Sequence, residues 1–211
     1  MSASLKRRAI AVQVAVGVHY AAMAAAAIYV VQIERRDGAI PIDVIATAFG
    51  GSLVPQLIAG PIVFTAFLFW LWRAVADLHV HRLPGLERSP IWAVSCWFVP
   101  GANFVAPFRT MRELWNRSAG EDQYNAKAPV TLASGWWACW IGGLFLHAVL
   151  LATFMVSAFN RARVVTSPEI AMLMLVLGQA MWHGAMIQLV LLVRRITAMQ
   201  ASHIYSAGVF D

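Results

Sequence analysis

The chain has 211 residues, 60% of them hydrophobic and 12% charged, whereas a soluble globular domain carries roughly a quarter charged residues. That composition excludes an ordinary water-soluble domain. The formal net charge of +6 invites nucleic acid, but the basic residues flank apolar segments and form no single basic face. They read as topology and headgroup contacts, and no nucleic-acid partner is expected.

In chain order, four stretches are long and apolar enough to cross a hydrocarbon layer as helix, near residues 9–33, 55–75, 135–159 and 168–193. Backbone polar groups in lipid must be satisfied within each segment, and the alternation of a barrel strand is missing. The expected fold class is therefore all-α, an integral membrane helical bundle forming one membrane domain over residues 1–211. The first span follows Lys6-Arg7-Arg8 and stays apolar through Tyr29-Val30-Val31. It reads as a retained signal anchor, because a cleaved signal has a shorter apolar core.

Between the first two spans, Asp37-Gly38 and Gly50-Gly51 act as breakers around a short apolar piece, 42–49, expected to be a separate interfacial helix. The long connection 76–131 holds an aromatic run from Ser89-Pro90 to Ala102-Asn103, interrupted by Pro100-Gly101. Neither half is long enough to span, so a Pro-broken re-entrant or interfacial segment is expected, with Trp92 and Trp97 at the headgroup level. Phe104, Phe108, Met111 and Trp115 then recur at helical spacing, with Arg109, Arg112, Glu113, Asn116 and Arg117 opposite. This is an amphipathic helix of the kind that lies along a membrane surface, with Pro107 in or before its first turn. The short connection 160–167 makes the last two spans antiparallel neighbours. Cys96 and Cys139 form no paired motif, and no disulfide is expected.

Positive residues stay on the cytoplasmic side. With four spans and an inner N-terminus, 12 of the 16 Lys and Arg lie inside, whereas counting 91–108 as a fifth span gives 8 against 8. Four spans with both termini cytoplasmic fit better.

The run Ser89-Pro90, Trp92-Ala93-Val94, Trp97-Phe98, Pro100, Ala102-Asn103, Pro107 and Met111-Arg112-Glu113-Leu114-Trp115 resembles the signature of a bacterial membrane family catalogued as domain of unknown function 4328. Upstream, Trp70-Leu71-Trp72-Arg73-Ala74 with Asp77-Leu78 is similar to that family's block at the end of a membrane helix. Downstream, Trp136-Trp137-Ala138 with Trp140 resembles its tryptophan-rich opening of the next helix. Asp77 stands where the family usually has Asn, and Ile91, Ser95, Cys96 and Gly101 replace other common residues. The resemblance implies a polytopic protein of the bacterial plasma membrane with no assigned activity. It marks Trp70, Arg73, Asp77, Trp92, Trp97, Pro100, Asn103, Pro107, Arg112, Glu113, Trp115, Trp136 and Trp137 as candidate motif and interaction residues.

Three histidines, His19, His147 and His183, lie roughly ten to twelve residues inside their spans, or about 15–18 Å at helical rise. Ionisable groups at one level on different helices suit a haem or metal site, and interhelical hydrogen bonds, with Gln179 one turn before His183, are the alternative. Arg73 and Asp77 share a helix face as an ion pair. Phosphate-binding, zinc-hydrolase and serine-hydrolase motifs are missing, as are paired carboxylates within a span. The leading expectation is thus a non-enzymatic protein that binds lipid headgroups or a partner protein through the cytoplasmic aromatic and amphipathic segment. A haem- or metal-binding electron-transfer bundle using two of the three histidines is the first alternative, and a small oligomeric transporter the second. Partners are the bilayer and a membrane protein or further copies of the chain, since small residues recur at the four-residue spacing that lets helices approach closely.

Overall fold

The computed structural model describes residues 3–36, 41–81, 83–160 and 167–207, without the side chains of 34–36, 41–55, 154, 157, 158, 160, 168 and 203–207. It contains α1 (Ala3–Arg36), α2 (Pro41–Val80), α3 (Pro90–Ser95), α4 (Ala106–Ser118), α5 (Thr131–Asn160) and α6 (Pro168–Ala207), with one-turn 3-10 helices at Ala102–Phe104 and Asn125–Lys127. No strand occurs among the described residues. The chain is an all-α membrane bundle, with α1, α2, α5 and α6 each long and apolar enough to span.

The helices run up, down, up and down. Arg8 of α1 donates to the Phe69 carbonyl of α2 at 2.8 Å, while Val16 and Val63 meet farther along, so the pair is antiparallel. Gly135 lies against Gln188, Cys139 against Gly184 and Gly143 against Gly178, which makes α5 and α6 antiparallel too. The loop 161–166 that joins them lies outside the described residues. At Gly143 an added Cβ would come within 3.4 Å of the Gly178 carbonyl. Missing side chains there let the two backbones approach, the usual route to tight packing without a hydrophobic driving force between helices.

One expectation needs correction. The piece 42–49 is not a separate interfacial helix, because Pro41–Val80 is one helix that runs through Gly50-Gly51. Glycine breaks helices less readily in an apolar segment, where a broken backbone has no water to satisfy it. Trp97 faces into the bundle. Its ring packs against Phe64 at 5.3 Å and Phe67 at 5.5 Å, and Phe64 lies nine residues before Arg73 along α2, about 14 Å at helical rise.

The apolar core concentrates at the end of the bundle that carries α4. Trp70, Trp136, Leu192, Val193 and Ile196 are all but completely buried there with Met111 and Leu114 of α4. Polar groups among them are paired: Trp70 Nε1 donates to Thr197 Oγ1 at 3.1 Å, and Gln200 Nε2 donates to Ala74 O at 3.1 Å and Ser118 Oγ at 2.9 Å. Helix α4 therefore plugs the bundle, and its amphipathic character serves packing. Its apolar residues Met111 and Leu114 face the bundle, yet Glu113, Asn116 and Arg117 on the other side are buried as well. Loops cover that polar face, where solvent was expected.

Candidate functional site

The α3–α4 module is set by local chemistry. Ser89 caps α3, its Oγ accepting from Trp92 N at 3.1 Å, and Pro90 occupies the first turn, where a missing N–H costs nothing. After α3 the chain turns at Pro100-Gly101, Gly101 adopting φ 80, a conformation that a side chain disfavours. Helix α4 starts with Pro107 in its first turn and ends in a Schellman motif. Gly120 has φ 87, Gly120 N donates to Arg117 O, and Glu121 N donates to Asn116 O at 3.0 Å.

The polar face of α4 then clamps two loops. Glu113 accepts from Glu87 N and from Arg88 Nη1, both at 2.8 Å. Asn116 Nδ2 donates to Ala126 O at 2.9 Å and to Ala128 O at 3.0 Å. Arg117 donates to Pro84 O and Glu121 O, both at 2.7 Å. These contacts make Glu113, Asn116 and Arg117 organising residues of the module. Partners on the two loops reveal that role, and helical periodicity carries no signal for them.

The other motif residues divide into three places. Trp97, Trp136 and Trp137 meet in one aromatic cluster with Trp140, Trp97 lying 6.2, 5.9 and 5.9 Å from the three rings. Trp137 Nε1 donates to Phe104 O at 3.2 Å, tying the turn to α5. Arg73 and Asp77 form an ion pair at 2.6 Å on α2, with Trp70 one turn earlier. Trp92 and Pro100 are exposed, Trp115 packs against the core, and Asn103 Oδ1 is buried without a hydrogen-bond partner. Cys96, behind the same turn, is buried, and burial pushes its thiol pKa up. Because the thiolate is the reactive form, a maleimide at neutral pH should modify Cys96 in the folded protein at least about tenfold more slowly than after denaturation. Peptide mapping of the labelled sites checks this.

Two cavities flank the module. The first, of ≈ 530 Å³, is polar, and Arg88, Arg109, Arg112 and Lys127 face Glu87 and Glu113 in its wall. Arg88 pairs with Glu113 at 2.8 Å and Lys127 with Glu87 at 2.6 Å. The Glu87 carboxyl is held below the usual carboxylate range, first by the Lys127 hydrogen bond and then by the charges of Lys127, Arg88 and Arg109. Arg109 is exposed and forms no salt bridge among the described residues. Arg112 lies over the Phe108 ring at 5.5 Å, its buried Nε unbonded. The pocket thus carries two cations in excess. Val105 in its wall is exposed, as are Ile91, Phe98, Val99 and Phe104 elsewhere in the module.

The second cavity, of ≈ 700 Å³, lies between α2 and α5 with α6 behind it and Trp97 at one end. Its walls are almost wholly apolar, with Gln56 and His147 as polar exceptions. His147 Nδ1 donates to Gly143 O at 2.7 Å; the partner is a carbonyl, so Nδ1 carries the proton and Nε2 keeps a lone pair.

The three mid-span histidines do not meet at one point. His19 and His183 both pack against Tyr20, with ring centroids 5.6 and 5.5 Å from it, while His147 sits beside Trp182. Gln179 pairs with Gln56 at 2.7 Å and not with His183. Both ring nitrogens of His19 and Nδ1 of His183 are buried without partners. Among the described residues no group of three or more His, Cys, Asp or Glu gathers to hold a metal.

No curated protein and no solved structure gives a match to this chain. The family profile described as Domain of unknown function (DUF4328) matches residues 43–198, the whole stretch from the start of α2 through the aromatic module to α6, and the chain belongs to that family.

Proposed function

We propose that the chain is a non-enzymatic protein of the bacterial plasma membrane, with both termini cytoplasmic, that holds anionic lipid headgroups at the module formed by α3 and α4. The observation that carries this reading is the pocket with surplus Arg109 and Arg112, in a module that also exposes the apolar Ile91, Phe98, Val99, Phe104 and Val105. Exposed apolar side chains seat in the acyl boundary while the guanidinium groups stay at headgroup depth, where planar forks match phosphate geometry. Arginine suits the task because its stem stays apolar as its head remains solvated. The excess of positive residues on the same side, 12 of 16, supports a cytoplasmic placement. The turn at Pro100-Gly101, with Trp97 reaching inward to Phe64, supports a re-entrant dip in place of a segment lying flat.

The test uses purified full chain in an uncharged detergent, titrated with a short-chain phosphatidylglycerol and with phosphatidylcholine of the same length. Each basic residue near a membrane surface contributes about 1 kcal/mol. Replacing Arg109 and Arg112 together with Gln should therefore weaken phosphatidylglycerol binding roughly 30-fold at low salt, leave phosphatidylcholine unchanged, and remove most of the salt dependence. An equal response to the two lipids, or an unchanged response in the variant, sinks the headgroup reading and points to protein docking at the module.

A further inference from the structure

We infer that the apolar cavity between α2 and α5 binds a lipid-soluble quinone or quinol, with the ring at the level of Gln56 and His147 and the prenyl chain leaving between the two helices into the bilayer. This is independent of headgroup binding, which uses a different pocket.

Three observations converge on that ligand. The cavity has the size of a small-molecule site and is walled by α2, α5, α6 and Trp97, with the stacked Trp140 and Trp182 rings, 4.8 Å apart, on one side. Such walls suit a flat apolar ring. Its two polar groups lie at one level: Gln56 bonds Gln179 of α6, and His147 lies against Gly178, the preceding residue. They stand on opposite walls, α2 and α5. Their chemistry is complementary to oxygen in either redox form. The second N–H of Gln56 Nε2, the first being given to Gln179, can donate to a carbonyl, and His147 Nε2 can accept from a hydroxyl.

Depth chooses between lipid classes. On α6 the charged residues that flank the span, Glu169 and Arg194, are 25 residues apart, and Gln179 lies within about 4 Å of their midpoint at helical rise. A glycerolipid keeps its ester oxygens at the edge of the hydrocarbon layer, about 15 Å from the centre. A quinone dissolves in the hydrocarbon itself, so its oxygens reach the level where Gln56 and His147 wait.

Gly60 gives a clean test, because it lines the cavity and a Cβ built there meets nothing within 4 Å. Gly60→Leu puts a side chain into the site from a backbone position where the Cβ itself has room. The full chain in uncharged detergent is titrated with decyl benzoquinol, dodecanol and hexadecane, and the unfolding midpoint is followed. The quinol should raise the wild-type midpoint saturably, leave Gly60→Leu unmoved, and bind His147→Leu about five- to tenfold more weakly through loss of one hydrogen bond. A rise in Gly60→Leu equal to the wild-type rise means partition into the micelle, and an equal effect of dodecanol or hexadecane means that any chain fills the space. Either result, or no saturable rise, overturns the inference. Should Gly60→Leu not fold, an undiminished affinity in His147→Leu overturns it as well.

Discussion

Trp97→Ala should lower the stability of the bundle in detergent by about 3 kcal/mol, toward the lower end of the range for large aromatic truncations. Trp97 packs against Phe64, Phe67, Trp136, Trp137 and Trp140 at centroid distances of 5.3 to 6.2 Å. Its indole N–H has no acceptor, so no hydrogen bond is lost and the cost is packing. The lower end applies because apolar surface freed inside a membrane can be covered by lipid or detergent tails, which shrinks the transfer part and leaves the dispersion part. Trp97 also closes one end of the cavity between α2 and α5, so its removal enlarges a void that the fold already tolerates. Trp97→Phe should recover more than half of the loss. Equilibrium unfolding in mixed micelles checks both values, and a loss below about 1 kcal/mol for the alanine variant means that Trp97 is not the wedge its contacts imply.

The contrast between Trp97 and the spans separates what the sequence encodes locally from what only the fold brings together. The four membrane helices were legible because hydropathy over twenty residues is a local signal that lipid enforces. Trp97 has no such local signal, because the rule for tryptophans near membrane ends gives a depth and not a packing partner. What takes it inside is the turn at Gly101, with φ 80, and the aromatic faces waiting on α2 and α5, neither of which lies near it in sequence. The polar face of α4 failed to read for the same reason. Asn116 belongs there because Ala126 and Ala128 present carbonyls to it, and helical periodicity cannot distinguish a face covered by a loop from one covered by water. The histidines show the intermediate case. Their common depth follows from counting residues, but facing decides chemistry, and it puts His19 and His183 about Tyr20 while His147 turns toward Trp182. The surplus charge at Arg109 has no local signal either, since it emerges only after Arg88 and Lys127 are paired off.

Glu113→Ala should cost about 3 kcal/mol and at the same time strengthen phosphatidylglycerol binding. The stability loss follows from burial: the Glu113 and Arg88 side chains are only 10% and 14% exposed, and removing one partner of a buried pair leaves the other charge uncompensated. Partial solvation and the second carboxylate, Glu87 at 3.8 Å from Arg88, hold the figure to the low end. The hydrogen bond that Glu113 accepts from Glu87 N is lost as well. Glu113→Gln retains an acceptor for that N–H and should cost about half as much. Replacing both partners, Arg88→Met with Glu113→Leu, should restore at least about 1.5 kcal/mol relative to the sum of the single changes, the signature of a coupled pair. Binding moves the other way. Deleting a carboxylate from a pocket already in excess by two cations raises its positive potential, so anionic headgroups should bind more tightly to whatever fraction remains folded. A module whose acidic residue served the ligand would lose stability and affinity together. Opposite signs for the two, measured on one variant, separate the residue that builds the pocket from the arginines that fill it with charge.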